Sequence, residues 1–125
     1  MYNYLKIIIE GEKAMQLSEK YNDSIMFGIN KTVYKNMMDY FKNNIHIYQV
    51  IIFGSRAKGC YKYNSDSDLC ISCDEKRRGS ISEDIDDIVG IYSCDIVFEG
   101  HTNSELKEQI ERFGKSMYSR ETTQE

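Results

Sequence analysis

Two aspartates, Asp66 and Asp68, are separated by one residue at the start of an apolar run that is typical of a β-strand. Side chains alternate across a strand, so both carboxylates should point to one face of the sheet. Two such carboxylates repel each other unless a cation lies between them, and Mg²⁺ prefers oxygen ligands of this kind. Asp95 lies in a later apolar run, where an unpaired acid is costly to bury. If the two strands are neighbours, three carboxylates on one face would suit a two-metal site for phosphoryl or nucleotidyl transfer.

The segment before these aspartates carries groups that suit a phosphate chain. Gly54 and Ser55 directly follow the apolar run "IYQVIIF". Glycine allows backbone dihedrals closed to other residues and lets a ligand come close. Ser55 opens a short predicted helix, "SRAKG", whose first N–H groups can donate to phosphate oxygens, while Arg56 and Lys58 add positive charge. A phosphate chain between this turn and the aspartates would be neutralised from both sides.

Each half of this pattern is weak evidence by itself, because Gly-Ser turns occur in many loops and loop aspartates often cap helices or face water. The combination is more specific: a strand, Gly-Ser-Arg, a spacer of about ten residues, Asp-x-Asp opening a strand, and an acid in the next strand. Tyr61 and Tyr63 lie in the spacer and could stack on a base. They could equally be exposed loop aromatics, which need no functional explanation.

The helices that would position these groups are indicated by apolar residues at helical spacing. One helix is predicted to begin after Asn30, a good N-cap residue. Two more are predicted to begin at capping boxes, formed by Ser80 with Glu83 and by Thr102 with Glu105. The predicted ends of the three helices are "KNN" at 42–44, Gly90 and Gly114.

The predicted strands are residues 47–53, 67–73 and 93–98, with a short extended piece at "KSMYS". The charged residues 74–79 are predicted to form a solvated loop. Helices and strands in this order predict an α+β domain, in which one sheet has helices packed on it. We assign residues 1–24 to an N-terminal extension, predicted to be helical, residues 25–120 to the domain, and residues 121–125 to a frayed tail.

Composition limits the functional classes. The chain has 125 residues, which fits one domain, and its net charge of −4 argues against a general nucleic-acid-binding module. It has no apolar run long enough for a membrane span and no signal-peptide pattern, so we expect a cytoplasmic protein without membrane contact. Cys70 and Cys73 form a C-x-x-C, but its position in a strand favours small buried side chains over a zinc or redox site.

The stretch "GSRAKGCYKYNSDSDL" resembles the signature of the DNA polymerase beta-like nucleotidyltransferase superfamily. More closely, the chain resembles the minimal nucleotidyltransferase (MNT) domain proteins of bacteria and archaea. The resemblance covers roughly residues 25–118, including "VIIFGSRAKG", "SDSDLCI", "CDIVF" and "ELKEQIERFGKSMY". It implies a small mixed β-sheet flanked by helices, the palm-like fold of that superfamily.

The resemblance also implies roles for individual residues. Asp66 and Asp68 would be ligands of two Mg²⁺ ions, and ATP or another nucleoside triphosphate would be the substrate. Asp95 stands where the family has its third carboxylate, a metal ligand and the candidate base for an acceptor hydroxyl. The residues implied to bind the nucleotide or its phosphates are Gly54, Ser55, Arg56, Lys58 and Ser65.

Many proteins of this kind are encoded beside a helical HEPN-domain protein, and the pairs resemble toxin–antitoxin modules. The resemblance implies an antitoxin that transfers AMP from ATP to a tyrosine of its HEPN partner. Two alternatives remain open: an antitoxin that neutralises its partner by contact alone, and a nucleotidyltransferase acting on small molecules. Minimal members often begin near residue 26, and the chain is too short for a separate base-recognition domain. A partner or a second copy in a homo-oligomer would then complete the site.

Overall fold

The computed structural model of the chain describes residues 27–62 and 65–120. Our expectations for residues 1–24, for Tyr63 and for residues 121–125 lie outside these ranges. Within them, no helix is both long and apolar enough to cross a lipid bilayer.

The described chain alternates helices and strands in the predicted order. The helices are α1 (Lys31–Asn43), α2 (Gly54–Lys58), α3 (Arg78–Val89) and α4 (Ser104–Phe113), with a 3₁₀ turn at Glu75–Arg77. The strands are β1 (Ile47–Phe53), β2 (Ser67–Cys73), β3 (Cys94–Phe98) and β4 (Lys115–Ser119). These bounds confirm the α+β class, the three predicted strands and the extended piece at 115–119.

The four strands form one mixed sheet in the order β3-β2-β1-β4. β1 is antiparallel to both β2 and β4, whereas β2 and β3 are parallel and joined by α3. Parallel neighbours need a crossover connection, and α3 supplies it. The sheet therefore places the start of β3 beside the start of β2, and the end of β1 beside that same edge.

The two faces of the sheet are covered differently. Helices α1 and α3 bury one face, with Met37 and Phe41 from α1 and Ile81 and Ile85 from α3 fully enclosed. α4 covers part of the other face, where Ile110 packs with side chains of β1 and β2. Among the described residues, the helix on this second face covers only part of it, and Asp95 at the start of β3 is exposed.

The start of α3 differs from the prediction. The helix begins at Arg78, and the Ser80 hydroxyl donates to the carbonyl of Arg77 at 3.1 Å, so the capping box of Ser80 with Glu83 is wrong. The 3₁₀ turn Glu75–Arg77 runs directly into α3, which also replaces most of the predicted irregular loop. A preceding 3₁₀ turn can supply helix-start hydrogen bonds, which removes the need for a side-chain cap.

The other predicted N-caps have different outcomes. Asn30 caps α1 as expected, and its side-chain oxygen accepts from the backbone of Thr32 and Val33. The capping box of Thr102 with Glu105 is wrong, because Asn103 caps α4 and accepts from Leu106 N–H at 2.7 Å. Asparagine is at least as good a cap as threonine, so adjacent candidates are hard to separate by sequence.

Candidate active site

Two of the three predicted carboxylates lie side by side. Asp68 of β2 and Asp95 of β3 are paired in the register of two parallel strands, so their side chains project from the same face of the sheet. This is the face that α4 covers only in part. Asp68 is half-buried and Asp95 is exposed. An incoming group can therefore reach Asp95 from solvent, while Asp68 is held against the protein.

The Gly-Ser turn lies directly against Asp68. Phe53, the last residue of β1, is paired with Asp68, and Gly54 follows with a φ of +75°. A Cβ atom at Gly54 would overlap Asp68 Oδ2 and stand 3.2 Å from its Cγ. Only glycine suits this position, because it combines a left-handed backbone with contact to a carboxylate. The phosphate-binding half and the carboxylate half of the predicted site are thus adjacent.

Asp66 also contributes negative charge beside Asp68 and Asp95. Asp66 is exposed and directly precedes β2. Burial raises the pKa of Asp68 above its ordinary value, and the negative charges of Asp95 and Asp66 raise it further. Three mutually repelling carboxylates on one edge favour a bound cation.

The donor chemistry of these residues fits a hard divalent cation, because Asp66, Asp68 and Asp95 offer only carboxylate oxygens. Their side chains are not gathered into a finished metal cage. Within residues 27–62 and 65–120, no group of three or more His, Cys, Asp or Glu side chains is close enough to hold an ion. The residues that would hold Mg²⁺ are therefore neighbours rather than a closed cluster.

Arg56 faces the interior rather than the open face. Its side chain is 4% exposed. Nη1 donates to the carbonyl of Phe27 at 2.9 Å, and Nη2 donates to the carbonyl of Ser65 at 2.8 Å. The ring of Tyr61 lies 5.0 Å from the guanidinium carbon, so Tyr61 packs on this arginine. No spacing signal in the sequence pointed to these contacts, since Phe27 is 29 residues away.

The remaining candidates for nucleotide binding have protein contacts of their own. Lys58 Nζ lies 4.6 Å from the centre of the Phe113 ring on α4. The Ser65 hydroxyl accepts from Lys62 N–H at 2.8 Å. Ser55 is half-buried in α2, and its carbonyl accepts from the backbone of Cys60. The structure thus gathers Gly54, Ser55 and the aspartates at one edge and turns Lys58 toward α4.

The cysteines behave as packed apolar side chains. Burial raises the pKa of both Cys70 and Cys73, so their thiols are protonated and unreactive at neutral pH. Burial, and then the charge of Asp95, raises the pKa of Cys94 to about 12. All four cysteines are free of disulfides. These environments favour the structural reading of the C-x-x-C.

Comparison with known proteins agrees with this geometry. The family model described as polymerase beta, nucleotidyltransferase, matches residues 35–123. A search of curated proteins finds no match.

Solved structures share the fold at low sequence identity. A crystal structure of a toxin-antitoxin with AMP-PNP is 20% identical, with a TM-score of 0.55, over 69% of this chain and 73% of that chain. A crystal structure of the toxin-antitoxin MntA-HepT is 17% identical, with a TM-score of 0.52, over 73% of this chain and 74% of that chain. The structure of a tri-AMPylated Shewanella oneidensis HEPN toxin in complex with MNT antitoxin is 16% identical, with a TM-score of 0.48, over 69% of this chain and 70% of that chain.

Proposed function

The chain belongs to the polymerase beta nucleotidyltransferase family, and on this premise we propose that it transfers AMP from ATP to a hydroxyl group with the help of Mg²⁺. The observation that carries the proposal is the contact between Gly54 and Asp68, together with the register of Asp68 and Asp95. It brings a turn suited to phosphates against carboxylates suited to a divalent cation. Nucleotidyl transfer needs these two groups next to each other.

The residues have distinct tasks in this reaction. The backbone at Gly54 and the hydroxyl of Ser55 orient the phosphates of ATP. Asp66, Asp68 and Asp95 would hold Mg²⁺, which would polarise the α-phosphate and neutralise the charge that develops on the phosphate oxygens. The acceptor oxygen bonds to the α-phosphorus, the bond to pyrophosphate breaks, and Asp95 accepts the proton of the hydroxyl. The exposure of Asp95 fits this task, because an acceptor must arrive from solvent.

We further propose that the acceptor is a tyrosine of a HEPN-domain partner and that the chain acts as its antitoxin. The resemblance to MNT proteins supports this acceptor. The similar structures include a toxin-antitoxin with AMP-PNP and the pair MntA-HepT, which supports both the nucleotide and the partner. Asp66 and Asp95 are exposed to solvent, so an acceptor can approach them from outside the protein.

The experiment that tests this function measures transfer of labelled AMP from ATP to a HEPN-domain protein from the same genome. Asp68→Asn and Asp95→Asn should each lower the rate by about a thousandfold or more, because each removes a charged metal ligand. Asp87→Asn, which changes an exposed aspartate on α3, is the matched control and should retain the parent rate. Full transfer by a folded Asp68→Asn variant would refute the proposal.

A second candidate is neutralisation of the partner by contact without catalysis, which the similar structure of the toxin-antitoxin MntA-HepT supports. If Asp68→Asn abolished transfer yet still neutralised the toxin in cells, contact alone would explain the antitoxin effect. Transfer to small hydroxyl compounds, with none to the protein, would instead favour a small-molecule enzyme.

A further inference from the structure

We propose that Arg56 is a positioning residue, which fixes the spacer between the Gly-Ser turn and the aspartates, rather than a ligand of the nucleotide. The inference rests on the proposed function, since it assigns Arg56 a part in that site. Arg56 would thus differ in role from its neighbours Gly54 and Ser55, although all three lie in one motif. The reason is the position of the Arg56 guanidinium and the atoms that it contacts.

The guanidinium connects three parts of the chain. Arg56 lies on α2, immediately after the Gly-Ser turn. The two terminal nitrogens of its guanidinium donate to the carbonyls of Phe27 and Ser65. Phe27 lies in the segment that leads into α1, and Ser65 ends the spacer. A planar fork with fixed donors can hold two carbonyls at a set separation, which a single ammonium cannot do. Arg56 therefore ties the first half of the site to the start of the second half.

Tyr61 completes this junction. Its ring stacks on the Arg56 guanidinium at 5.0 Å. It also touches the backbone of Gly28, where an added Cβ would overlap the ring and stand 2.7 Å from Tyr61 Oη. The spacer is thus anchored both at its middle, through Tyr61, and at its end, through Ser65. A stacked guanidinium beside an aromatic ring gains further stability when it is shielded from water.

The position of Ser65 links this junction to catalysis. Ser65 directly precedes Asp66, and Asp68 follows two residues later. A shift of the Ser65 carbonyl would be passed along the backbone to both carboxylates. A ligand of the ATP phosphates would need to reach the open face, whereas the Arg56 side chain is 4% exposed and engaged with backbone carbonyls.

The first test uses the protein without nucleotide or metal, so it does not depend on activity. Amide hydrogen exchange of residues 60–66 should be at least about tenfold faster in Arg56→Ala, because a charged hydrogen bond to the Ser65 carbonyl is lost. Arg56→Lys should give a smaller increase, since lysine can reach one carbonyl but not both. Exchange of the β1 amides should rise less than that of residues 60–66, because these amides report only the loss of global stability. Arg77→Ala, an exposed arginine at the other end of the domain, is the control and should leave residues 60–66 unchanged.

The second test separates positioning from nucleotide binding. In Arg56→Lys, kcat should fall about ten- to a hundredfold and the Mg²⁺ concentration for half-maximal rate should rise, while KM for ATP stays near the parent value. A phosphate ligand would give the reverse: a raised KM for ATP and unchanged exchange of residues 60–66 in the free protein. That result would overturn the inference.

If Arg56→Ala does not fold, Tyr61→Ala and Arg56→Lys keep the test decisive. Tyr61→Ala removes the stacked ring but leaves the guanidinium, and it should speed exchange across residues 60–66 as well. Unchanged exchange in both variants would refute the positioning role. Absence of transfer by the parent protein would count against the proposed function instead, and the exchange result would still decide the structural claim.

Discussion

Gly54→Ala isolates the contact on which the proposed site depends. Gly54 has a φ of +75°, and the Cβ of alanine would overlap the Asp68 carboxylate. Gly59, at the other end of α2, has a similar φ of +81°, but a Cβ there would meet nothing within 4 Å. Gly59→Ala is therefore a matched control, which carries the backbone strain without the clash.

The expected magnitudes follow from these two terms. A left-handed alanine costs roughly 1–2 kcal/mol, so Gly59→Ala should lose about this much free energy of unfolding and Gly54→Ala, which adds the clash, at least as much. In Gly54→Ala, either the carboxylate of Asp68 or the turn must also move by about 1 Å to restore ordinary contact distances. A displacement of about 1 Å at a reacting group can cost on the order of a hundredfold in rate. The rate of AMP transfer should fall by about this factor in Gly54→Ala and remain near the parent value in Gly59→Ala.

The assay combines urea unfolding, followed by circular dichroism, with AMP transfer measured well below the unfolding transition. The fraction of folded protein in each variant is thus known when its rate is measured. Gly54→Ala that transfers AMP as fast as Gly59→Ala would refute the reasoning, because the close approach of Gly54 to Asp68 would then have no role in the reaction.

Two further predictions concern stability. Asp68→Asn should raise the free energy of unfolding of the metal-free protein at neutral pH, because burial and the charges of Asp95 and Asp66 raise the pKa of Asp68. The parent should lose stability as pH rises from the ordinary aspartate pKa through this raised pKa, since the unfolded chain releases the proton first. Urea titrations across the acid range should therefore show the advantage of Asp68→Asn above that window and none below it; a pH-independent difference would contradict this. Asn30→Ala should cost about 1 kcal/mol by the same titration, because it removes the cap of α1, and should leave AMP transfer unchanged; a large loss of transfer would show that α1 affects the site.

The sequence predicted those features whose signals are local. The apolar runs of β2 and β3 predicted two strands that could be neighbours. Asp66 lies just before β2, which begins at Ser67, so its place on the same face as Asp68 stays a prediction. The register of Asp68 with Asp95 confirms that these two carboxylates are neighbours. Helix starts were less predictable, because Asn103 and Thr102 are both good caps and only the final backbone path selects between them.

The contacts of Arg56 could not be read from the sequence for a different reason. A buried arginine bound to backbone carbonyls and an exposed arginine bound to phosphate cannot be distinguished in the sequence, because the residue and its sequence neighbours are the same in both cases. The partner atoms are carbonyls of Phe27 and Ser65, and a carbonyl is present at every residue. Only the tertiary arrangement shows which ones the guanidinium reaches. The close approach of Gly54 to Asp68 is similar: the glycine predicts the close approach of a ligand, whereas the structure shows the carboxylate of Asp68 against it.

The most direct test of the central claim is mass spectrometry of the acceptor after incubation with ATP, Mg²⁺ and this protein. The proposed function predicts that a HEPN-domain acceptor gains the mass of one or more AMP groups on tyrosine. It also predicts that the gain is lost when a chelator removes Mg²⁺ or when Asp68→Asn replaces the parent. An acceptor that stays unmodified with the parent protein at saturating ATP and Mg²⁺, or that is modified equally by Asp68→Asn, would contradict it.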